Sequence, residues 1–277
     1  MKIRNAFSMI YRCFVTIMIF IWSAAPILYI VLSSFRRERH ILRYPPILWV
    51  SPILDNYITM WRQWSAFFGT IRNSFIISIG ATVLAAMVSF LAGYAYSRYR
   101  NRFLAGSAIY MIAIRLLPPI VVTLPLFPVV NYLNLNDNHI LLIILYASLW
   151  VSLVSMIMKN FIDAIPKELD EAAYIDGASE LQTMIRVIFP LSLQGLASGS
   201  IFVFVYSWNE FLFAMIFTSS RARTAPLIIS EIMGSIHGVD WGVLYAAVTV
   251  QLVPVVVLVI LAQRLLVAGL TSGSVKE

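Results

Sequence analysis

Five stretches of this chain run for 19 to 25 residues without a charged side chain: Cys13–Phe35, Asn73–Ser97, Ile140–Met158, Val187–Asn209 and Trp241–Gln263. A helix needs about 20 apolar residues to cross roughly 30 Å of hydrocarbon, so each stretch is long enough to span a bilayer. Only helices and closed barrels satisfy their own backbone polar groups in lipid. Barrel strands are about 10 residues long and alternate in polarity, and these runs do neither. A sixth apolar stretch, Phe103–Val130, is interrupted by Arg115 and by Pro118, Pro119, Pro125 and Pro128. The expected fold is all-α and integral to the membrane, one transmembrane domain over residues 1–277. Its six helices are expected at about 13–35, 73–97, 104–130, 140–159, 192–217 and 242–264.

Charged residues make up 12% of the chain, against about 25% in an ordinary soluble protein. The net charge of +7 comes from basic residues scattered along loops, which suits the flanks of membrane spans and not a nucleic-acid surface. Lys2, Arg4 and Arg12 precede an apolar run that continues to Phe35, beyond the usual 7–15 residues of a signal peptide. An uncleaved first span is expected. The single Cys13 excludes an internal disulfide, and His40, His139 and His237 lie apart and outside the apolar runs, so no metal site is expected. With both ends cytoplasmic, 11 basic residues fall inside and 8 outside, with Arg115 within a span. The Arg36-Arg37-Glu38-Arg39 cluster opposes that arrangement, so charge alone leans toward it without deciding it. Trp49, Tyr57, Trp61, Trp64, Phe67 and Phe68 in the loop after span one suit either an interfacial aromatic belt or a docking face.

One polar island breaks the pattern. Residues 166–190 read PKELDEAAYIDGASELQTMIRVIFP and carry seven charges between two apolar stretches. Pro166 suits a first helical turn, and Glu168, Asp170 and Glu171 favour the positive end of the helix dipole. Leu169, Ala172, Ala173 and Asp176 are expected to share a face, with Gly177 supplying a left-handed stop. Ser179 with Gln182 is a capping-box signature for a second short helix, which Pro190 is expected to end. The small alanines would let a partner surface approach closely.

These residues carry a resemblance. Glu171-Ala172-Ala173, Gly177, Val187 and Phe189-Pro190 resemble the EAA motif of ABC-importer permeases, EAA-x3-G-x9-I-x-L-P, with Val and Phe replacing Ile and Leu. Asn56-Tyr57, Asn73-Ser74, Arg115-x-Leu117-Pro118-Pro119, Trp208-Asn209-Glu210-Phe211 and Gly269-Leu270-Thr271-Ser272-Gly273 are similar to the carbohydrate-uptake branch, that of the maltose-type second permease. The resemblance covers residues from about 10 to 277. It implies a type I ABC importer-like permease whose coupling loop, about 160–190, forms a cytoplasmic helix hairpin held by a separate ATPase. Glu171, Ala172, Ala173, Asp176, Gly177 and Pro190 would make up the coupling site, and residues Thr271–Lys276 would reach toward the ATPase. The implied partners are a cytoplasmic ABC ATPase dimer, a homologous second permease, an extracytoplasmic solute-binding protein, a carbohydrate-like substrate and the lipid bilayer. ATP and Mg would be bound by the ATPase, with no cofactor in this chain. The implied location is a bacterial or archaeal cytoplasmic membrane, multi-pass, with both termini cytoplasmic.

Absences agree with that division of labour. No Gly-Lys pair occurs, hence no phosphate-cradling loop, and neither H-E-x-x-H nor G-x-S-x-G is present. The chain is not expected to be an enzyme. Arg115 falls about 12 residues into span three, roughly 18 Å from its end by helix rise, and Glu210 lies near the far end of span five. Charges at such depth face a bundle interior or a water-filled path, so Arg115, Trp208, Asn209 and Glu210 are candidate substrate-path residues. A structural pairing of Arg115 with Glu210, or with helix ends, is the alternative. Pro118-Pro119 should break span three, and broken helices mark transport pathways. The small residues Ala81, Ala85, Ser89, Gly93 and Ser97, and the Gly195/Gly199 pair, suit close helix packing within this chain or against a partner permease. A permease for another small solute and an ATP-independent secondary transporter remain open; the latter leaves the island unexplained.

Overall fold

The structure is a computed structural model that describes residues 2–45, 47, 50–236 and 238–271, with side chains at 9, 11–45, 47, 50–236 and 238–263. The described residues are helical and include no strand. Among the described residues, five helices are long and apolar enough to cross a membrane, and a sharply bent pair makes a sixth span if counted as one. The chain falls into two compact units, Met1–Phe67 with Ile229–Pro254, and Phe68–Ile228 with Val255–Glu277.

In the first unit, α1 (Lys2–Ser34) is followed by the short α2 (Glu38–Ile41) and by α3 (Asp55–Gln63). Asn56 of α3 holds the end of α1: its amide donates to the carbonyls of Ser34 at 2.7 Å and Arg36 at 2.8 Å. The Tyr57 hydroxyl meets the Ser34 Oγ at 2.7 Å, and its ring packs on Phe35. The Asn-Tyr pair is therefore a cap for carbonyls that a helix end leaves without intrahelical donors. A Cβ at Gly242 would collide with the Asn56 amide, so the start of the last long helix approaches that cap closely. Trp49 lies outside the described residues; Trp61 is exposed while Met60 and Asn56 are buried, which gives α3 one outward face.

The second unit is built around α7 (His139–Asp163). α4 (Ala66–Arg98) packs along it through the small-residue stripe: Ala81, Ala85 and Ser89 are fully buried, and the Ser89 Oγ donates to the Val151 carbonyl at 3.2 Å. A side chain at Gly93 would strike Met158 and the Lys159 backbone. α10 (Phe189–Trp208) packs against both helices: its Gly195 and Gly199 abut Phe161 and Val154 of α7, and its Phe189 and Trp208 rings meet Phe90 and Phe75 of α4. Both small-residue stripes therefore serve packing within this chain, the close approach that helices in lipid use in place of hydrophobic burial.

Span three is broken as the prolines require. α5 (Arg102–Ile114) and α6 (Pro119–Tyr132) meet at 102°. Each is roughly 20 Å long at 1.5 Å per residue, so neither crosses the hydrocarbon alone. Pro119 takes the first helical position, where its missing N–H costs nothing, while Pro125 and Pro128 sit inside α6. Two boundaries differ from expectation. α4 begins at Ala66, not near 73, because the helix continues past Arg72. The fifth span does not run to 217: α10 ends at Trp208, and α11 (Leu212–Phe217) follows a break at 209–211. α12 (Ala225–Met233) and α13 (Trp241–Thr271) complete the chain; the tail beyond 271, with most of its proposed ATPase-facing segment, lies outside the described residues.

Candidate functional site

The polar island folds as a hairpin. α8 (Glu168–Ile175) follows Pro166, whose carbonyl accepts the Leu169 N–H at 3.3 Å; the proline lies just before the helix and not within it. Three acids, Glu168, Asp170 and Glu171, occupy the first turn. At the other end Gly177 has φ +82°, Ala178 N–H reaches the Ala173 carbonyl at 2.9 Å and Gly177 N–H reaches Tyr174 at 3.0 Å. That pair of bonds is the Schellman stop, which favours glycine because a Cβ is strained in the left-handed region. The turn leads directly into a reciprocal cap: Ser179 N–H donates to Gln182 Oε1 at 2.8 Å and Gln182 N–H to Ser179 Oγ at 3.4 Å.

Pro190 does not end the second helix. α9 (Glu180–Thr183) passes through a π turn, Met184–Ile188, straight into α10. A proline ring clashes with the carbonyl four residues back and donates no hydrogen bond. The widened turn relieves both problems, since Phe189 N–H bonds five residues back to Met184 and helical backbone resumes at Phe189-Pro190.

The hairpin has distinct inner and outer faces. Ile175 is 86% exposed, and Glu171, Ala172, Asp176 and Gly177 are exposed beside it. Ala173 is half-buried and does not share the outer face expected for it. Asp170, one turn back, is 6% exposed and forms an ion pair with Arg98 at 2.9 Å. Arg98, at the end of α4, also donates to the carbonyls of Ile162 and Ile165 at 3.2 Å each. One guanidinium thus ties together α4, the end of α7 and the hairpin. A recess of about 270 Å³ beside this clamp is lined by Tyr94, Arg98, Asp170, Glu171, Tyr174 and Glu180 among others.

Sequence patterning missed the clamp. Arg98 is one of the 11 basic residues counted on the inside, and Asp170 reads as a dipole-favouring acid. The signal was present in the helical period: Asp170, Ala173 and Tyr174 fall on the side of α8 opposite Ala172 and Asp176.

The candidate path residues separate. Arg115 ends α5 at the break and is exposed; its guanidinium lies 5.1 Å from the centroid of the Trp150 ring, which stacks on Tyr206 at 4.2 Å. Glu210 sits in the break after α10 and accepts the Phe213 N–H at 3.1 Å, capping α11, with the fully buried Tyr146 beside it. Arg115 and Glu210 do not pair with each other; of the structural alternative, the helix-end part holds for Glu210, which caps α11. Asn209 is exposed, its amide donating to the Val205 carbonyl at 2.7 Å. Trp208 is 1% exposed and packed between Phe75 and Phe204, so it presents no stacking face in this structure. The exposed aromatic surface at this level is Tyr206, which apolar patterning alone could not distinguish from a lipid-facing residue.

At the opposite end of α4 and α7 from the hairpin, a loop is held by side chains. Asn73 donates to the carbonyls of Arg221 and Arg223 and meets His139 Nε2 at 3.0 Å; Ser74 Oγ accepts the Ala225 N–H at 2.9 Å. Asp137 accepts the N–H groups of Ser219, Ser220, Arg221 and Ala222 between 2.8 and 3.2 Å. Burial opposes its charge, but the donors from Ala222, Arg221, Ser220 and Ser219 outweigh that and hold the carboxyl well below the usual carboxylate range. Among the described residues no group of three or more His, Cys, Asp or Glu is placed to hold a metal.

Residues 85–272 match the family of binding-protein-dependent transport system inner membrane components. The chain belongs to this family. It is 32% identical over 254 residues to the sulfoquinovosyl glycerol transport system permease protein of Agrobacterium fabrum, covering 91% of this chain and 88% of that one. It is 33% identical over 256 residues to the trehalose/maltose transport system permease protein of Thermococcus litoralis, covering 91% of each. Its fold is similar to a chain of a bacterial ABC transporter involved in the import of the acidic polysaccharide alginate, with a TM-score of 0.78, 19% identity, and coverage of 95% and 98%. This inner membrane component is an ABC permease, a multi-pass transport subunit and not an enzyme. The matched region contains the hairpin, the π turn, Arg115 and the break at Glu210.

Proposed function

We propose that this permease forms one half of the membrane path of an ATP-driven importer for a sugar, polyol or glycoside, and that a separate ATPase drives it through the hairpin. The observation that carries this is the outer face of α8: an 86% exposed isoleucine beside Ala172 and Glu171, on a helix closed at its C-terminus by the Gly177 turn and clamped to α4 from behind. A soluble partner seated on this hairpin would cover Ile175, which nothing among the described residues buries. Glu171 supplies the ionic contact, Ala172 allows close approach on the outer face while Ala173 lets α8 sit close to the protein behind it, and Asp176 with Gly177 sets the bend. Pro190 lies where the hairpin joins α10.

The ATPase dimer, with its ATP and Mg, docks on this side, which makes the hairpin and both termini cytoplasmic. A homologous second permease supplies the other half of the path, and a solute-binding protein delivers the substrate from the far side. Arg115, Asn209 and Glu210, at or beside the two helix breaks, are the path residues of this subunit, with Trp208 supporting them from the core. The carbohydrate assignment rests on the relatives, several of which are named for sugar uptake. Glu171→Lys is expected to release the ATPase on co-purification and to abolish uptake while the membrane helices stay folded. Unchanged ATP-dependent uptake by this variant would refute the coupling role.

A further inference from the structure

Next to the hairpin, between the ends of α4 and α7 and the start of α5, lies an open groove of about 720 Å³. Four cations line it, Arg100, Arg102, Lys159 and Lys167, against one acid, Asp163. That acid is occupied within the protein: it pairs with Lys159 one turn away and accepts the Ser97 hydroxyl at 2.6 Å. Arg98, the nearest further cation, is committed to Asp170. Arg100, Arg102 and Lys167 are exposed and pair with no carboxylate among the described residues.

The groove changes character along its length. Its foot is cationic. Its wall, where α5 rises, is Leu104, Ala105 and Ala108, faced by Tyr96, whose hydroxyl meets Ser107 at 3.2 Å. The first turn of α5, which borders the foot at Asn101 and Arg102, carries no acid to oppose these cations. An exposed cationic foot below an apolar wall, at the level where two membrane helices end, matches a phosphodiester headgroup continuing into an acyl chain. An acidic soluble partner would use the cations and leave the apolar wall of α5 unfilled.

We propose that this groove is a binding site for an anionic phospholipid of the leaflet next to the hairpin, with Arg100, Arg102 and Lys167 on the phosphate and α5 against the upper acyl chain. The site goes beyond the transport reading and stands whether or not the hairpin engages an ATPase. The test is native mass spectrometry of the full chain, delipidated in detergent and titrated separately with phosphatidylglycerol, phosphatidylcholine and inorganic phosphate. The wild type retains phosphatidylglycerol in preference to phosphatidylcholine, and inorganic phosphate does not displace it. Arg100→Gln with Arg102→Gln lowers that retention roughly 30-fold, about fivefold for each cation removed. The Arg100→Lys, Arg102→Lys chain keeps it, which separates loss of charge from loss of fold. Equal retention of the two lipids, undiminished retention by the glutamine variant, or displacement by phosphate alone would overturn the proposal. So would loss of a co-purifying soluble subunit from the glutamine variant with lipid retention intact, which would mark the groove as a protein contact.

Discussion

Breaking the clamp behind the hairpin should loosen the hairpin selectively, by an amount that depends on which partner is removed. The Arg98 and Asp170 side chains are each 9% exposed and 2.9 Å apart, so their attraction at an effective dielectric near 20 is about 6 kcal/mol before desolvation is subtracted. Arg98→Ala strands a buried carboxylate and deletes the donors to the Ile162 and Ile165 carbonyls, an expected cost of about 3–5 kcal/mol. Asp170→Ala leaves Arg98 with both carbonyls, so its cost is smaller, about 1–3 kcal/mol. The double alanine variant should cost less than the sum, because no buried charge remains unpaired, with a coupling energy of at least about 1 kcal/mol. Hydrogen exchange across residues 168–178, in the intact protein, measures this directly. A loss of 3 kcal/mol corresponds to roughly 150-fold faster exchange through local opening. The core amides of α7 should keep their protection. Strictly additive costs in the cycle, or equal loosening of α7, would refute the view that this pair is what pins the hairpin.

Gly177→Ala should destabilise the hairpin turn by about 1–2 kcal/mol, entirely through backbone strain at φ +82°, since no atom lies within 4 Å of the added Cβ; exchange at Ala178 reads it. Gly195→Leu should lower the thermal midpoint of the whole protein, because the side chain meets the Phe161 ring and overpacking of this kind costs about 1–3 kcal/mol. Asp137 has a folded pKa held below its unfolded value, so its contribution is fully present above about pH 4 and is lost only as pH falls through the depressed value. Protection of the 219–222 amides should therefore be flat from pH 7 to pH 5 and fall below about pH 4, whereas Asp137→Asn should remove it at neutral pH. Loss of protection in the wild type near pH 6 would contradict this assignment.

Charge-free runs found the membrane helices because the cost of charge in hydrocarbon is large, but they misplaced helix ends, since helices continue into the headgroup region and beyond. Arg72 marked a boundary for α4 that the backbone ignores, and α7 extends to Asp163. The hairpin was the most legible part: Gly177, Ser179 and Gln182 act through local backbone chemistry that needs no tertiary context. Pro190 was misread for the same reason, because its local preference was to stop a helix and a π turn upstream removed the conflict. Asp170 and Trp208 depend on what lies behind them. Their burial comes from residues far away in sequence, Arg98 for one and Phe75 for the other, and no local pattern records it. The carbohydrate-branch pairs Asn56-Tyr57 and Asn73-Ser74 turned out to hold a helix end and a loop, roles that spacing alone did not suggest.

A soluble ATPase seated on the outer face of α8 would cover Ile175. Cys13 is the only cysteine in the sequence, so Cys13→Ser provides a background in which Ile175→Cys is unique. In membranes containing the whole transporter, a short bifunctional crosslinker at position 175 should join this permease to the ATP-hydrolysing subunit, and an impermeant maleimide applied from outside the cell should not reach it. Labelling from outside, or a crosslink that never captures that subunit while uptake persists, would contradict the account.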